Sequence, residues 1–179
     1  MIRLPVIETE RLRLRPLQME DGPHVFAIFS DEHVLRHYGM EPHRTLEETE
    51  QMLTHMLVQI ETGAVIRFAI EHCESKALIG TIGFHNRAPS HRRAEIGYEL
   101  KPEYWRSGYA MEALHAALQF AVTCEIERVG AIVYVENLAS QRMLEKNGFV
   151  QEGRLHNYMR QRGKSHDVYI YSYMTHQSV

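Results

Sequence analysis

One segment limits the architecture more than any other. Residues Arg93 to Leu100 read as a strand. Ser107 to Glu125 read as a long helix, with Ala110, Met111, Leu114, Ala117, Leu118 and Ala121 on one face. Val129 to Val135 is a continuous apolar run rich in β-branched residues, the pattern of a buried strand. Strand, helix and buried strand in that order form a crossover unit, and a crossover joins parallel strands. The rest of the chain has to be organised around that pair.

The flanking segments supply the other elements. Glu10 to Pro16 alternates Arg11, Arg13 and Arg15 with Leu12 and Leu14, a period-2 strand with one wet face. Helices are expected from Met19-Glu20-Asp21 to about Ser30, and again after Asp31. Thr45 with Glu48 predicts a capping box, followed by Met52, Leu53, Met56, Leu57 and Ile60 at helical spacing and Gly63 as a stop. Ala64 to Glu71, Ala77 to His85 and Arg93 to Leu100 read as a β-meander. Gly80 and Gly83 predict a bulge or a close backbone approach inside the middle strand. Asn137 to Asn147 reads as a short helix closed by Gly148. Phe149 to Asn157 and Asp167 to Met174 are the last strands, with Gly163 between them. The expected order is β-α-α-β-β-β-α-β-α-β-β, in one domain spanning 1–179 with a mixed α/β architecture.

Composition excludes several classes. Lys and Arg number 20 against 23 Asp and Glu, for a net charge of −3, so there is no basic excess to hold nucleic acid. The longest uncharged apolar stretch, Ala113 to Cys124, carries His115 and Gln119 and is too short to span a bilayer. Two cysteines make neither a zinc site nor a disulfide scaffold. The first residues show no apolar secretory core, so a cytoplasmic location is expected. His33 and His37 have ligand-like i, i+4 spacing, but Val34 stands where the metalloprotease motif has Glu. No metal is expected.

The segment between the crossover strand and helix, Tyr104-Trp105-Arg106-Ser107-Gly108-Tyr109-Ala110, carries the chemistry. Gly108 permits unusual backbone angles and leaves room for a ligand, and Ala110 is small. The helix presents unpaired N–H groups and its positive dipole end, and Arg106 adds a full charge. Together they suit a phosphate or pyrophosphate, although an ordinary β-α turn has the same outline. Neither the P-loop nor the dinucleotide fingerprint is present. Downstream, Asn137 is a good N-cap and Gly148 a good C-cap. Ser140 has no evident structural task.

These segments, with Glu8 to Leu17 and Ala94 to Leu100, resemble the GNAT superfamily of acyl-CoA-dependent N-acetyltransferases over nearly the whole chain. They are most similar to the branch that acetylates the N-termini of ribosomal proteins. The resemblance implies acetyl-CoA as co-substrate, with Arg106, Ser107, Gly108, Tyr109 and Ala110 around its pyrophosphate. It also implies a splay between Glu95 to Leu100 and Val129 to Val135 that admits the pantetheine arm. A backbone N–H near Leu100 would polarise the thioester carbonyl, and Asn137 would bind cofactor or orient its helix. Trp105 stands where the superfamily often has Gln or Arg. Leu144 replaces the frequent tyrosine acid.

Acetyl transfer needs a neutral amine, donors for the oxyanion and a hydrogen bond for the leaving thiolate. Glu95 is the candidate to accept the amine proton, with Glu99 as the alternative on the same strand face. Glu95 as a partner for an arginine is the competing assignment. Ser140 is the candidate thiolate partner. The expected acceptor is an N-terminal α-amine of a protein such as a ribosomal protein. A small-molecule amine (polyamine, aminoglycoside or amino acid) and a non-catalytic acyl-CoA-binding module are the alternatives. Glu32, His33, His37, Tyr38, Arg154, Asn157 and Tyr158 fall in the segments expected to line the acceptor groove. A homodimer is compatible with the resemblance, and Val168 to Tyr173 is either its exposed edge or a core strand.

Overall fold

A computed structural model describes residues 4–175. Its strands are β1 (Ile7–Glu8), β2 (Leu12–Pro16), β3 (Ile66–His72), β4 (Leu78–Ala88), β5 (Arg93–Leu100), β6 (Arg128–Tyr134), β7 (Val150–Gln161) and β8 (Lys164–Met174). Its helices are α1 (Gly22–Phe29), α2 (Leu46–Glu61), α3 (Tyr109–Thr123) and α4 (Leu138–Lys146). The eight strands form one sheet in the order β1-β2-β3-β4-β5-β6-β8-β7. Every neighbouring pair is antiparallel except β5–β6, the pair joined by the crossover through α3.

That parallel pair is short. It holds only Arg93 against Arg128, Ala94 against Val129 and Glu95 against Gly130. Beyond Glu95, β5 stays with β4 as far as Leu100, while β6 stays with β8 as far as Tyr134. Each strand follows its outer partner, and a gap opens between Ile96–Leu100 and Ala131–Tyr134.

Side-chain alternation gives each face its own core. On one face Ile96 and Leu100 join Phe68, Phe84, Ala113, Leu114, Ala117 and Leu144, so α3 and α4 cover that side. On the other, Val25, Ile28, Phe29 and Leu53 from α1 and α2 pack on Ala69 and Leu78. The two glycines of β4 serve close approach: a Cβ on Gly83 would collide with the carbonyl oxygen of Ile66, and one on Gly80 with that of Glu99.

Several boundaries differ from the sequence expectation. The strand expected from Glu10 begins at Leu12, and the short β1 precedes it, because Thr9 turns the chain and bonds Leu12. The last hairpin is longer than expected, with its turn at Arg162-Gly163. Only half of the capping box forms. Thr45 Oγ1 accepts the Glu48 N–H at 3.4 Å, but Glu48 reaches back to the N–H of Arg44. His33 precedes a 3-10 turn over Val34–His37, so His33 and His37 do not share an α-helical face. Strand β8 lies between β6 and β7, with Val168 and Tyr171 fully buried, so Val168 to Tyr173 is a core strand and not a free edge.

Candidate active site

The site begins where β5 ends. Pro102–Tyr104 makes a single 3-10 turn, and Trp105 Nε1 donates to the Leu100 carbonyl at 2.8 Å, folding the loop back on its strand. Arg106 and Gly108 then take left-handed angles, φ +60° and +83°. Gly108 is the N-cap of α3 and has no side chain to spend on the helix N–H groups. The first-turn amides of Tyr109, Ala110 and Met111 have no intrahelical acceptor, and the helix dipole points its positive end at them. Free amides at the positive end of a helix can accept an anion, the chemistry that a pyrophosphate would need here.

The loop is braced from the N-terminal strand. Arg11 Nε donates to Glu112 Oε2 at 2.7 Å, and its Nη1 donates to the Ser107 carbonyl at 2.9 Å. Its guanidinium also lies 4.4 Å from the centre of the Tyr109 ring. Glu112 further accepts from Thr9 Oγ1 and the Arg11 N–H. Burial pushes the Glu112 carboxyl up, but these hydrogen bonds and the Arg11 charge outweigh it and hold the group below its ordinary value. A Cβ on Gly108 would lie 3.3 Å from Arg11 Nη2, in a backbone conformation that L residues rarely adopt.

The gap between β5 and β6 continues from this loop. The Lys101 N–H donates to Ile79 on the β4 side. Successive amides of a strand point to opposite sides, so the Leu100 N–H faces the gap. Across it, the Tyr98 and Ser140 hydroxyl oxygens are 2.6 Å apart, tying β5 to the first turn of α4. Asn137 Oδ1 accepts the Ser140 N–H at 3.2 Å, so Asn137 orients this helix as its N-cap. Leu144, in the slot where the superfamily frequently has a tyrosine acid, is fully buried in the core.

The opposite face of β5 carries Glu95, Gly97 and Glu99. Glu95 Oε2 accepts from Asn86 Nδ2 at 3.0 Å and lies 3.6 Å from His85 Nε2, at the point where the strands part. It has no arginine partner among the described residues, contrary to the competing expectation. Partial burial and the Arg67 charge push the His85 pKa down, which keeps its ring neutral near pH 7. Glu99 has a different fate. It is 4% exposed and clamped by Arg67 and Thr81, and it accepts from Tyr38 Oη at 3.1 Å. Glu99 is therefore not the alternative base: its charge already belongs to a buried ion pair.

The expected groove residues separate in the same way. Tyr38 is committed to Glu99, and Arg154 and the Asn157 N–H to Asp167. Glu32 lies 3.4 Å from Arg162. His37 sits beside Tyr134, with ring centres 5.7 Å apart, while His33 and Tyr158 face solvent.

The acetyltransferase (GNAT) domain family matches residues 11–150, most of the chain. This chain belongs to the GNAT family. It is 42% identical over 169 residues to the uncharacterized N-acetyltransferase YoaA of Bacillus subtilis, covering 94% of this chain and 96% of that one. A solved spermidine N-acetyltransferase from Vibrio cholerae, in complex with CoA and spermine, superposes with a TM-score of 0.84. Its identity is 26%, over 93% of this chain and 97% of that one. The ribosomal alpha-N-protein acetyltransferase RimL, in complex with coenzyme A, superposes with a TM-score of 0.87 over 95% and 98%; at 22% identity it speaks for the fold alone. The chain is thus an N-acetyltransferase of the GNAT fold that uses acetyl-CoA. Among the described residues no cluster of His, Cys, Asp or Glu is placed to hold a metal ion, and no helix is long and apolar enough to cross a membrane.

Four residues of the candidate site carry no site signal in the sequence. Tyr98 follows the core-facing alternation of β5, and its hydroxyl is what distinguishes it. His85 and Arg11 lay inside strands, and Glu112 inside a helix. Only tertiary contacts separate them from ordinary surface polar residues.

Proposed function

We propose that this protein acetylates the α-amine of a peptide or protein N-terminus, a ribosomal protein being the acceptor class that the sequence resemblance implies. The observation that carries the choice is the fate of the two carboxylates that β5 carries on the α1–α2 side. Glu99 is spent on Arg67. A polyamine carries several positive charges and calls for several unpaired carboxylates. Where the strands part, Glu95 meets only a neutral histidine and an amide, which suits one amine.

Acetyl-CoA supplies an activated acetyl thioester. The amides of residues 109–111 and Arg106 hold its pyrophosphate, and the Leu100 N–H donates to the thioester carbonyl oxygen as negative charge develops there. Glu95, with His85 beside it, takes the proton of the incoming amine directly or through water. An α-amine, with an ordinary pKa near 8, asks only modest help. Ser140 donates a hydrogen bond to the departing sulfur. The faces divide this work: Glu95 serves the α1–α2 side and Ser140 the α3–α4 side, with the gap joining them.

The test is release of CoA thiol from acetyl-CoA. The acceptors are short peptides with free Ala, Ser, Met or Thr N-termini, the same peptides N-blocked with an internal lysine, and spermidine with other small amines. Release confined to free N-termini is expected. Release confined to spermidine or other small amines overturns the acceptor assignment and leaves the acetyltransferase chemistry standing.

A further inference from the structure

We infer that Tyr98 is a positioning residue for Ser140: by donating its phenolic hydrogen to Ser140 Oγ, it turns the single serine proton into the gap, toward the sulfur of bound CoA. This deepens the reading of Ser140 as thiolate partner and rests on it. Ser140 Oγ and Tyr98 Oη are 2.6 Å apart, and neither hydroxyl has another hydrogen-bond partner among the described residues. A serine hydroxyl has one proton and two lone pairs. If Ser140 gave its proton to Tyr98, it would have nothing left for sulfur. If Tyr98 donates, Ser140 is left with a free proton and a polarised oxygen.

The local environment favours the second arrangement. A phenol is a far stronger acid than an aliphatic alcohol and so the better donor. Burial pushes the Tyr98 pKa up to about 12, although the Ser140 hydrogen bond pulls the other way, so the phenol keeps its proton throughout the working pH range. The placement is also fixed at both ends. Tyr98 packs against the α3 core from β5, and the Ser140 backbone is held by the Asn137 cap. The bond therefore spans the gap between two rigid elements. Hydrogen bonds in such a chain strengthen one another.

The proton balance is simple. As the carbon–sulfur bond breaks, its electron pair stays on sulfur, and the amine proton leaves on the Glu95 side. Ser140 stabilises the sulfur charge by a hydrogen bond, and Tyr98 remains protonated. No net proton transfer from Tyr98 is required.

Free CoA tests this without any acceptor. The ionisation of its thiol is followed in the binary complex by thiolate absorbance across pH, alongside the affinities of CoA and desulfo-CoA. In the natural protein the bound thiol is expected to ionise at lower pH than in solution. Tyr98→Phe and Ser140→Ala should each move that ionisation back up by about 0.5 or more on the pH scale, and the double variant no further than Ser140→Ala alone. Desulfo-CoA affinity should stay within about twofold, since the phosphate loop is untouched. With the acceptor found above, Tyr98→Phe should lower kcat by about tenfold with little change in KM for acetyl-CoA. A Tyr98→Phe protein that binds CoA and titrates its thiol like the natural protein overturns the proposal alone. A natural protein that fails to bind CoA overturns the cofactor reading, and this proposal with it.

Discussion

Arg11 and Glu112 lie in β2's approach and in α3, 101 residues apart in sequence, yet Arg11 Nε and its own N–H both donate to the one carboxylate, at 2.7 and 2.8 Å. The guanidinium also donates to the Ser107 carbonyl, so one side chain couples the N-terminal strand to the loop that leads into α3. Glu112→Gln keeps the shape but removes the charge that Arg11 and Thr9 answer. Stability should fall by about 1–3 kcal/mol, and acetyl-CoA should bind several-fold more weakly, checked by denaturant unfolding and calorimetric titration. Full acetyl-CoA affinity in a destabilised Glu112→Gln protein would confine the brace to folding.

Glu95 and Glu99 share a strand face, and the same substitution should act on them in opposite ways. Glu95→Gln loses only exposed-side contacts with Asn86 and His85. It should fold normally and lower kcat by about a hundredfold or more. Glu99→Gln leaves Arg67 charged inside the protein, and it should lose about 3–5 kcal/mol of stability. Thermal melts beside turnover for the two variants separate these cases. Equal activity of Glu95→Gln and the natural protein would remove Glu95 from the chemistry.

The distinction between those two carboxylates was not legible in the sequence, and the reason is physical. Period-2 alternation put both on one face, but only the antiparallel register of β3, β4 and β5 brings Arg67 and Thr81 onto Glu99. The crossover unit and the glycine turn into α3 are readable because both are local: the turn needs Gly108 at a helix start, and the buried strand needs its apolar run. The Tyr98–Ser140 contact joins residues 42 apart across a gap that no local pattern encodes. The last hairpin runs past the expected bounds because Met159, Arg160 and Gln161 carry on pairing with β8 beyond a register shift, where alternation breaks down.

The loop assignment has its own test in Gly108. A side chain there must adopt φ +83° and crowd Arg11 Nη2. Gly108→Val should bind acetyl-CoA at least about tenfold more weakly, because a β-branched residue is the least able to hold that conformation. Unchanged affinity in a folded Gly108→Val protein would refute the cradle.

Acid should weaken the fold through three histidines. Burial is the leading cause that holds His37, His43 and His85 below their ordinary value of 6.5. Below that value the unfolded chain binds protons that the folded protein refuses. Stability therefore falls as pH drops through 6.5, and this contribution levels off once pH passes below the folded values. Unfolding in urea at about pH 7 and about pH 5 should show the loss. His85→Gln should reduce it, since one of the three groups no longer titrates. An unchanged slope in that variant would place the coupling on other groups.

Tyr134 offers a case in which removing a polar atom should cost nothing. Its side chain is 2% exposed, and its hydroxyl has no hydrogen-bond partner among the described residues. The ring is flanked by His37 and His166, with centres 5.7 and 5.1 Å away. A buried hydroxyl without a partner carries a desolvation penalty of about 1–3 kcal/mol, and phenylalanine has the same shape without it. Tyr134→Phe should be as stable as the natural protein or more so by thermal melting. A loss of more than about 1 kcal/mol would mean that the hydroxyl finds a partner in solution, and the space between His37 and His166 would then be a polar subsite beside the gap.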